Sequence, residues 1–310
     1  MRTLLIASGK GGTGKTTVTA ALVALASADW RVAVADCDVE ASNLPLVLRT
    51  AVTHREPFDG TPAPVVDTDA CLGCGACEDS CPFGALTIDD DVAVIDPWLC
   101  EGCGACERDC LAGAIEFAVE VAGEVVSGRH DAGPIVFGLL RPGQDLSGKL
   151  VTSVRERAVA LAAAEDADLL LIDGPPGVGC PAIAAMNGVD GVLAVTEPTL
   201  SGEHDLRRLA ELARRLRTPV AVVVNKADLS ATGAARIRQA CAALGLALLA
   251  ELPYDDGLPA ALEQVALGRA EPAALAARPA LAGLHGVWAG LAPAVRRTAG
   301  VTTVGGQAWR

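Results

Sequence analysis

Aromatic side chains are nearly missing from this chain: four Trp, four Phe and one Tyr stand among 310 residues. A core with so few rings has to be filled by small aliphatics, and alanine and valine are abundant. Also missing is any apolar run of transmembrane length. The nearest approach, 285–297, is interrupted by Gly286, Gly290 and Pro293, with two adjacent arginines near its end, and does not read as a membrane helix. Met1-Arg2 leads straight into an apolar strand, without the zones of a signal peptide, so the expected compartment is the cytoplasm. Basic charge is scarce where acid is dense. Residues 66–118 hold twelve Asp and Glu against Arg108 alone, in a chain of net charge −13. That balance argues against binding to nucleic acid or anionic lipid, and it calls for a partner with a basic docking face. The length allows one large or two modest domains.

Glycine and lysine gather near the start. The stretch Ser8-Gly9-Lys10-Gly11-Gly12-Thr13-Gly14-Lys15-Thr16-Thr17 follows the apolar run Leu4–Ala7 and precedes a helical run, Val18–Ala26. Gly9, Gly14, Lys15 and Thr16 fill the pattern G-x-x-x-x-G-K-[ST]. Glycines let backbone N–H groups turn toward anionic oxygens, and the following helix offers its positive end to the same charge. In such a loop Lys15 reaches the β- and γ-phosphates and the Thr16 hydroxyl sits on Mg²⁺.

The second lysine, Lys10, makes this loop resemble the deviant Walker A motif of the MinD/ParA/Mrp and nitrogenase iron-protein class. The resemblance implies ATP as the nucleotide, and a homodimer in which Lys10 reaches the partner's nucleotide. It extends to later motifs. Asp36-Cys37-Asp38 ends the second strand, Arg31–Ala35, and is similar to the first switch. There Asp38 is expected to position water and Asp36 to serve the metal directly or through a neighbour. Leu169–Asp173 reads as a buried parallel strand carrying the Walker B acid, Asp173, on a Mg²⁺-bound water. Gly174-Pro175-Pro176-Gly177 resembles the Mrp-type second switch, with the Gly177 N–H expected at the γ-phosphate. Asn225, at the end of the strand Pro219–Val224, is expected at the adenine. Its sequence Asn225-Lys226-Ala227-Asp228 also looks like a guanine-reading motif, which keeps GTP as the minority option. The loop Pro253-Tyr254-Asp255 is expected to complete the adenine pocket.

Eleven cysteines in a chain without a leader favour thiolate ligation over disulfides. Eight form a duplication: Cys71, Cys74, Cys77 and Cys81 recur 29 positions on as Cys100, Cys103, Cys106 and Cys110. Each run is similar to the bacterial ferredoxin pattern, in which the fourth cysteine serves the other cluster. The assignment is one 4Fe-4S cluster on Cys71, Cys74, Cys77 and Cys110, and a second on Cys100, Cys103, Cys106 and Cys81. Leu111 replaces the proline that ends the usual run. Four cysteines per run exceed the paired Cys-x-x-Cys of a zinc ribbon. Cys37 reads as a small buried filler. Cys180, seven residues after Asp173, stands where the nitrogenase iron protein has a cluster cysteine. The family's second such cysteine has no counterpart in 111–172, so two roles stay open for Cys180: a metal or interface group on the dimer face, or a buried structural thiol.

The fold expected is α/β: a doubly wound, mostly parallel P-loop sheet with an inserted α+β two-cluster ferredoxin domain. The expected segments are 1–65 and 119–295 for the ATPase, 66–118 for the insert and 296–310 for a disordered tail. Residues 54–66, with Pro57, Gly60, Pro62 and Pro64, read as a linker. A hairpin is expected near Val119–Val126, a polar loop over 141–149, and a helical surface place for His204. Two functions stay open: ATP-driven electron transfer to a metallocofactor protein of NifX/NifB type, implied by resemblance, or an iron–sulfur cluster carrier of Mrp type. ParA-like positioning on DNA or membrane fits the acidic charge poorly.

Overall fold

The computed structural model describes residues 1–296. In chain order the elements are β1 (Arg2–Ser8), α1 (Lys15–Ala26), β2 (Val32–Asp36), α2 (Leu44–Val47), β3 (Ala51–Asp59), β4 (Ala63–Val66), α3 (Ala76–Ser80), β5 (Leu86–Asp89) and β6 (Val92–Ile95). Then come α4 (Ala105–Asp109), β7 (Ile115–Ala118), β8 (Val121–His130), β9 (Gly133–Leu140), α5 (Ser147–Ala164), β10 (Leu169–Pro176), α6 (Cys180–Met186) and β11 (Gly191–Thr196). The chain ends with α7 (Leu200–Arg215), β12 (Val220–Val224), α8 (Ala231–Leu244), β13 (Ala247–Glu251), α9 (Leu258–Ala266), α10 (Ala273–Ala276) and α11 (Gly283–Arg296).

Two compact units result. One comprises 1–56 and the chain from Glu124 onward; the other is Pro57–Gly123. The first is built on a nine-stranded sheet of order β13-β12-β11-β1-β10-β2-β9-β8-β3. From β13 to β9 each neighbouring pair is parallel. Its central strands are near-continuous apolar runs, as burial on both faces demands: every residue of β2, β11 and β12 is buried. The core is small and aliphatic, with Leu22, Val34, Leu171 and Leu193 fully enclosed. Trp30 and Trp288 meet edge to face at 5.3 Å within the same unit. Leu284, Val287, Trp288 and Leu291 bury one face of α11, and among the described residues no helix is long and apolar enough to cross a membrane.

Several expectations change. Residues 54–66 are not a linker, because β3 and β4 occupy most of them. Pro57 is tolerated since β3 is an edge strand, where a missing N–H costs no ladder bond. The second unit reaches beyond 66–118 at both ends. Antiparallel pairing of Ala63 with Ala118 and Val66 with Ile115 ties β4 to β7, and Gly60 N–H donates to the Glu120 carbonyl at 2.7 Å. The expected hairpin is longer, with β8 and β9 joined through Asp131-Ala132. The polar loop ends early, since Ser147-Gly148-Lys149 already opens α5. β10 runs past Asp173 through Gly174-Pro175-Pro176. Apart from Arg296, which ends α11, the expected disordered tail lies outside the described residues.

Candidate functional site

The loop between β1 and α1 is shaped by two glycines. Gly14 holds φ 89° and caps α1, and Gly12 holds φ 78°. A Cβ on Gly14 would also stand 2.3 Å from the Asn225 amide nitrogen, so the position admits no side chain on two counts. Around Gly11 and Gly12 a Cβ would meet nothing within 4 Å, which leaves that side of the loop open. The Thr13 hydroxyl is buried without a hydrogen-bond partner, and a bound anion's oxygen would satisfy it.

Parallel pairing does the next step of assembly. β1 lies between β10 and β11, and β10 pairs with β2 so that Asp173 stands beside Asp36. Asp173, fully buried, accepts the Lys15 ammonium at 3.1 Å, the Thr16 hydroxyl at 2.6 Å and the Thr19 hydroxyl at 2.9 Å. Asp38 stands 3.8 Å from the same ammonium. Burial alone would depress Lys15, but the Asp173 and Asp38 carboxylates outweigh it and hold the lysine above its ordinary value. Lys15, Thr16, Asp38 and Asp173 are thus brought together. Thr17 follows them in the first turn of α1. Thr16 and Asp173 are oxygen donors suited to Mg²⁺.

Asp36 has other employment. Its carboxylate accepts the Ser42 hydroxyl at 2.7 Å, the Asp38 N–H at 3.0 Å and the Leu44 N–H at 3.1 Å. It anchors the turn that carries Asp38. Burial, then repulsion from Asp173, pushes its pKa up to about 7. Cys37 is fully enclosed beside it, and burial raises its thiol pKa. The Gly177 N–H donates to the Ser8 carbonyl at 2.9 Å.

Asn225 binds the phosphate loop. Its amide donates to the Thr13 carbonyl at 2.8 Å and its oxygen accepts the Lys226 N–H at 3.0 Å. Lys226 donates to the Gly12 carbonyl at 3.0 Å and to Glu197 at 2.5 Å. The pair after β12 therefore holds two successive loop carbonyls. Asp228 accepts the Tyr254 N–H at 2.6 Å. Lys10 lies folded within its own chain, 3.1 Å from Glu197 and 3.2 Å from the Ser201 hydroxyl. Opposite Gly9 a Cβ would collide with Asp205, so the loop after β1 and helix α7 approach closely there.

Sequence reasoning missed Thr19, Glu197, Lys226 and Asp205. Thr19 had a signal, since it lies one helical turn after Lys15 and Thr16. Glu197 and Asp205 had none, because only the sheet order brings β11 and α7 to the loop. His204 is exposed on α7, as expected of a surface residue. Cys180 is exposed at the start of α6, which removes the buried structural role. A Cβ on Gly148 would lie 3.3 Å from its Cβ, so α5 begins against it.

In the second unit two cavities are lined by cysteines. One gathers Cys71, Cys74, Cys77 and Cys110; the other gathers Cys81, Cys100, Cys103 and Cys106. Each thus takes three cysteines from one run and the fourth from the other. Among the described residues no three His, Cys, Asp or Glu close round a point as a single metal ion requires. An iron–sulfur cube is a wider guest, so its thiolates stand further apart. Backbone N–H groups of Ala85, Ala114 and Ala93 point at the sulfurs of Cys81, Cys110 and Cys71 at 3.3, 3.2 and 3.5 Å. The Ala85 N–H holds the Cys81 thiol below its ordinary pKa, while burial raises Cys77 and Cys106. Gly73 (φ 59°) passes so close to Asp91 that a Cβ would lie 2.5 Å from its carbonyl oxygen. That close approach draws the first Cys-x-x-Cys loop against the β5–β6 turn.

Comparison with known proteins decides the family. Residues 4–266 match the CobQ/CobB/MinD/ParA nucleotide binding domain (CbiA). The chain belongs to that family. An uncharacterized protein of Methanocaldococcus jannaschii is 36% identical over 229 residues, covering 72% of this chain and 77% of its own. The iron-sulfur cluster carrier protein of the same organism is 26% identical over 227 residues, 71% of this chain and 58% of the carrier. The solved structure of the septum site-determining protein MinD with Mg-ADP from Pyrococcus horikoshii has a TM-score of 0.56 at 20% identity, covering 96% of this chain and 99% of that one. This last likeness is one of fold. As a CobQ/CobB/MinD/ParA member, the chain has its Walker-type loop, Asp173 and Asn225 inside the matched range.

Proposed function

We propose that this chain is an ATP-hydrolysing, dimer-forming protein whose inserted ferredoxin-like unit holds two 4Fe-4S clusters, coupling nucleotide-driven closure to electron transfer with a partner protein. The observation that carries it is the exchange of the fourth cysteine between the two cavities, in a chain that also gathers Lys15, Thr16 and Asp173. Bound in those cavities, the clusters would supply one-electron chemistry. The thiolates hold them, and the Ala85, Ala93 and Ala114 N–H groups spread charge away from the sulfurs.

At the nucleotide, Lys15 and the N–H groups of Gly9 to Thr17 neutralise phosphate charge. Thr16 and Asp173 hold Mg²⁺, and Asp38 orients the attacking water. Asp36 keeps the turn that carries Asp38 in place. Lys10 completes the site of a second copy. Gly177 exchanges the Ser8 carbonyl for the γ-phosphate, which would move the second switch and Cys180 behind it. Asn225 contributes to the adenine pocket through the loop it holds. The partner is a redox or metallocofactor-binding protein with a basic face, in the manner of NifX or NifB proteins, and the cytoplasm is the compartment. A second reading, a cluster carrier or scaffold, is favoured by the carrier relative named above. Fully thiolate-ligated cubes should leave such sites slowly, which favours electron transfer.

The test is anaerobic purification of the wild-type chain and of Cys71→Ser, Cys81→Ser and Cys110→Ser. Iron and sulfide for two cubes should be found, and Cys110→Ser should remove the same paramagnetic signal as Cys71→Ser. Colourless, iron-free protein sinks the cluster reading. Rapid transfer of labelled iron to an apo-acceptor turns the choice to the carrier.

A further inference from the structure

The two carboxylate oxygens of Glu197 serve two lysines. Oε2 lies 3.1 Å from Lys10 Nζ, and Oε1 lies 2.5 Å from Lys226 Nζ. Burial disfavours the Glu197 charge, yet hydrogen bonds from Lys226 and Lys10 hold the carboxyl below its ordinary pKa. Its side chain is only 12% exposed, whereas Lys10 is 33% exposed. The second lysine, Lys226, also grips the Gly12 carbonyl at 3.0 Å. One half-buried carboxylate therefore sits between a lysine that shapes the phosphate loop and a lysine that belongs to the loop itself.

The place where Lys10 is held is not a comfortable one for a cation. Its other contact is Ser201, in the first turn of α7. The N-terminal end of a sixteen-residue helix carries partial positive charge, which repels an ammonium and which Glu203 in its first turn offsets only in part. Glu197 is the carboxylate in contact with the ammonium there. A lysine held by a single carboxylate against an unfavourable dipole is poised to leave when a stronger anion arrives.

We propose that Glu197 is a positioning residue that stores Lys10 within its own chain and releases it to the triphosphate at the interface with a second copy. The stored state keeps the free chain's loop cation from recruiting a second copy before nucleotide is present. Release leaves Glu197 on Lys226 alone, so the Gly12 carbonyl stays gripped while Lys10 moves. The role of Lys10 across the dimer rests on the function proposed above; its storage by Glu197 rests on the geometry alone.

Two measurements separate these. The chain has four lysines, Lys10, Lys15, Lys149 and Lys226, so acylation footprinting with mass spectrometry reads each one. In the nucleotide-free full chain, Glu197→Gln should raise Lys10 labelling severalfold, and Ser201→Ala should raise it less without touching Lys226. Unchanged Lys10 labelling in both variants overturns the storage role, whatever the dimer does. Sedimentation with Mg-ATP is the second readout. Glu197→Gln should lower the ATP concentration for half-dimerisation about fivefold, the scale of one partly exposed ion pair. That gain should vanish in a Lys10→Ala background. A gain that survives Lys10→Ala, or weaker dimerisation in Glu197→Gln, overturns the proposal and assigns Glu197 to loop support through Lys226. If the wild-type chain stays monomeric with ATP while Lys10 labelling behaves as expected, the dimer reading fails and the storage contact stands without its release.

Discussion

The two units of this molecule hold themselves together by different means. The nucleotide-binding unit buries a large aliphatic core, from Leu4 and Ile6 on β1 to Leu284 and Leu291 on α11. The cysteine-bearing unit encloses a cluster of Cys77, Leu86, Ala93, Cys106 and Ile115, so two of the five residues in that cluster are thiols. Burying each large aliphatic side chain contributes ~1.5–3 kcal/mol, and the second unit has few to bury. A module this small needs a staple. Under the proposed function the same cysteines serve stability and chemistry there, whereas in the first unit Lys15, Asp38 and Asp173 sit on a scaffold with a large aliphatic core of its own.

That contrast can be broken at several points. The largest effect is expected at the nucleotide. Lys15→Ala should cut ATP turnover about a thousandfold in a phosphate-release assay, while the visible spectrum of the second unit stays as it was. Removal of iron by a chelator, or Cys106→Ser, should next raise amide exchange across 57–123 by tenfold or more. Protection in β1, β10 and β11 should persist, because binding energy at such sites is folding energy. Equal loosening of both units would show that the contrast is false.

Leu193→Ala should destabilise the first unit by ~3 kcal/mol in denaturant, with iron content unchanged. A pH effect follows from His130. Burial lowers its pKa to about 4, its Nδ1 accepts the Ala132 N–H at 3.2 Å, and its Nε2 is buried without a partner. The unfolded chain then binds more protons than the native one between pH 4 and 6.5, so stability falls as pH drops through that window. His130→Gln should flatten the slope by about 2 kcal/mol, read from melts at pH 7 and pH 4.5. The smallest effect is expected at Leu111, which is exposed and stands where the first run has Pro82. Leu111→Pro should change stability by no more than ~0.5 kcal/mol.

Local pattern carried a good deal of this. Gly9-x-x-x-x-Gly14-Lys15-Thr16 after an apolar strand announced a phosphate loop, since loop, lysine and helix are consecutive and need no tertiary help. The apolar runs ending at Asp36 and Asp173 announced buried parallel strands. Pro57 and Pro64 misled, because a proline says that an N–H is missing and not whether an edge strand would have used it. The expectation of Asn225 at the adenine came from the family resemblance, and the bond from its amide to the Thr13 carbonyl had no signal in the sequence.

The chain by itself determined which residues can bear charge, turn tightly or bind iron, since residue type and spacing over a few positions decide these. Only the tertiary structure decided that Glu197 meets Lys10 and that the Gly177 N–H meets the Ser8 carbonyl. The reason is sheet order. Placing β1 between β10 and β11 brings together residues nearly two hundred positions apart, and no local spacing records that meeting.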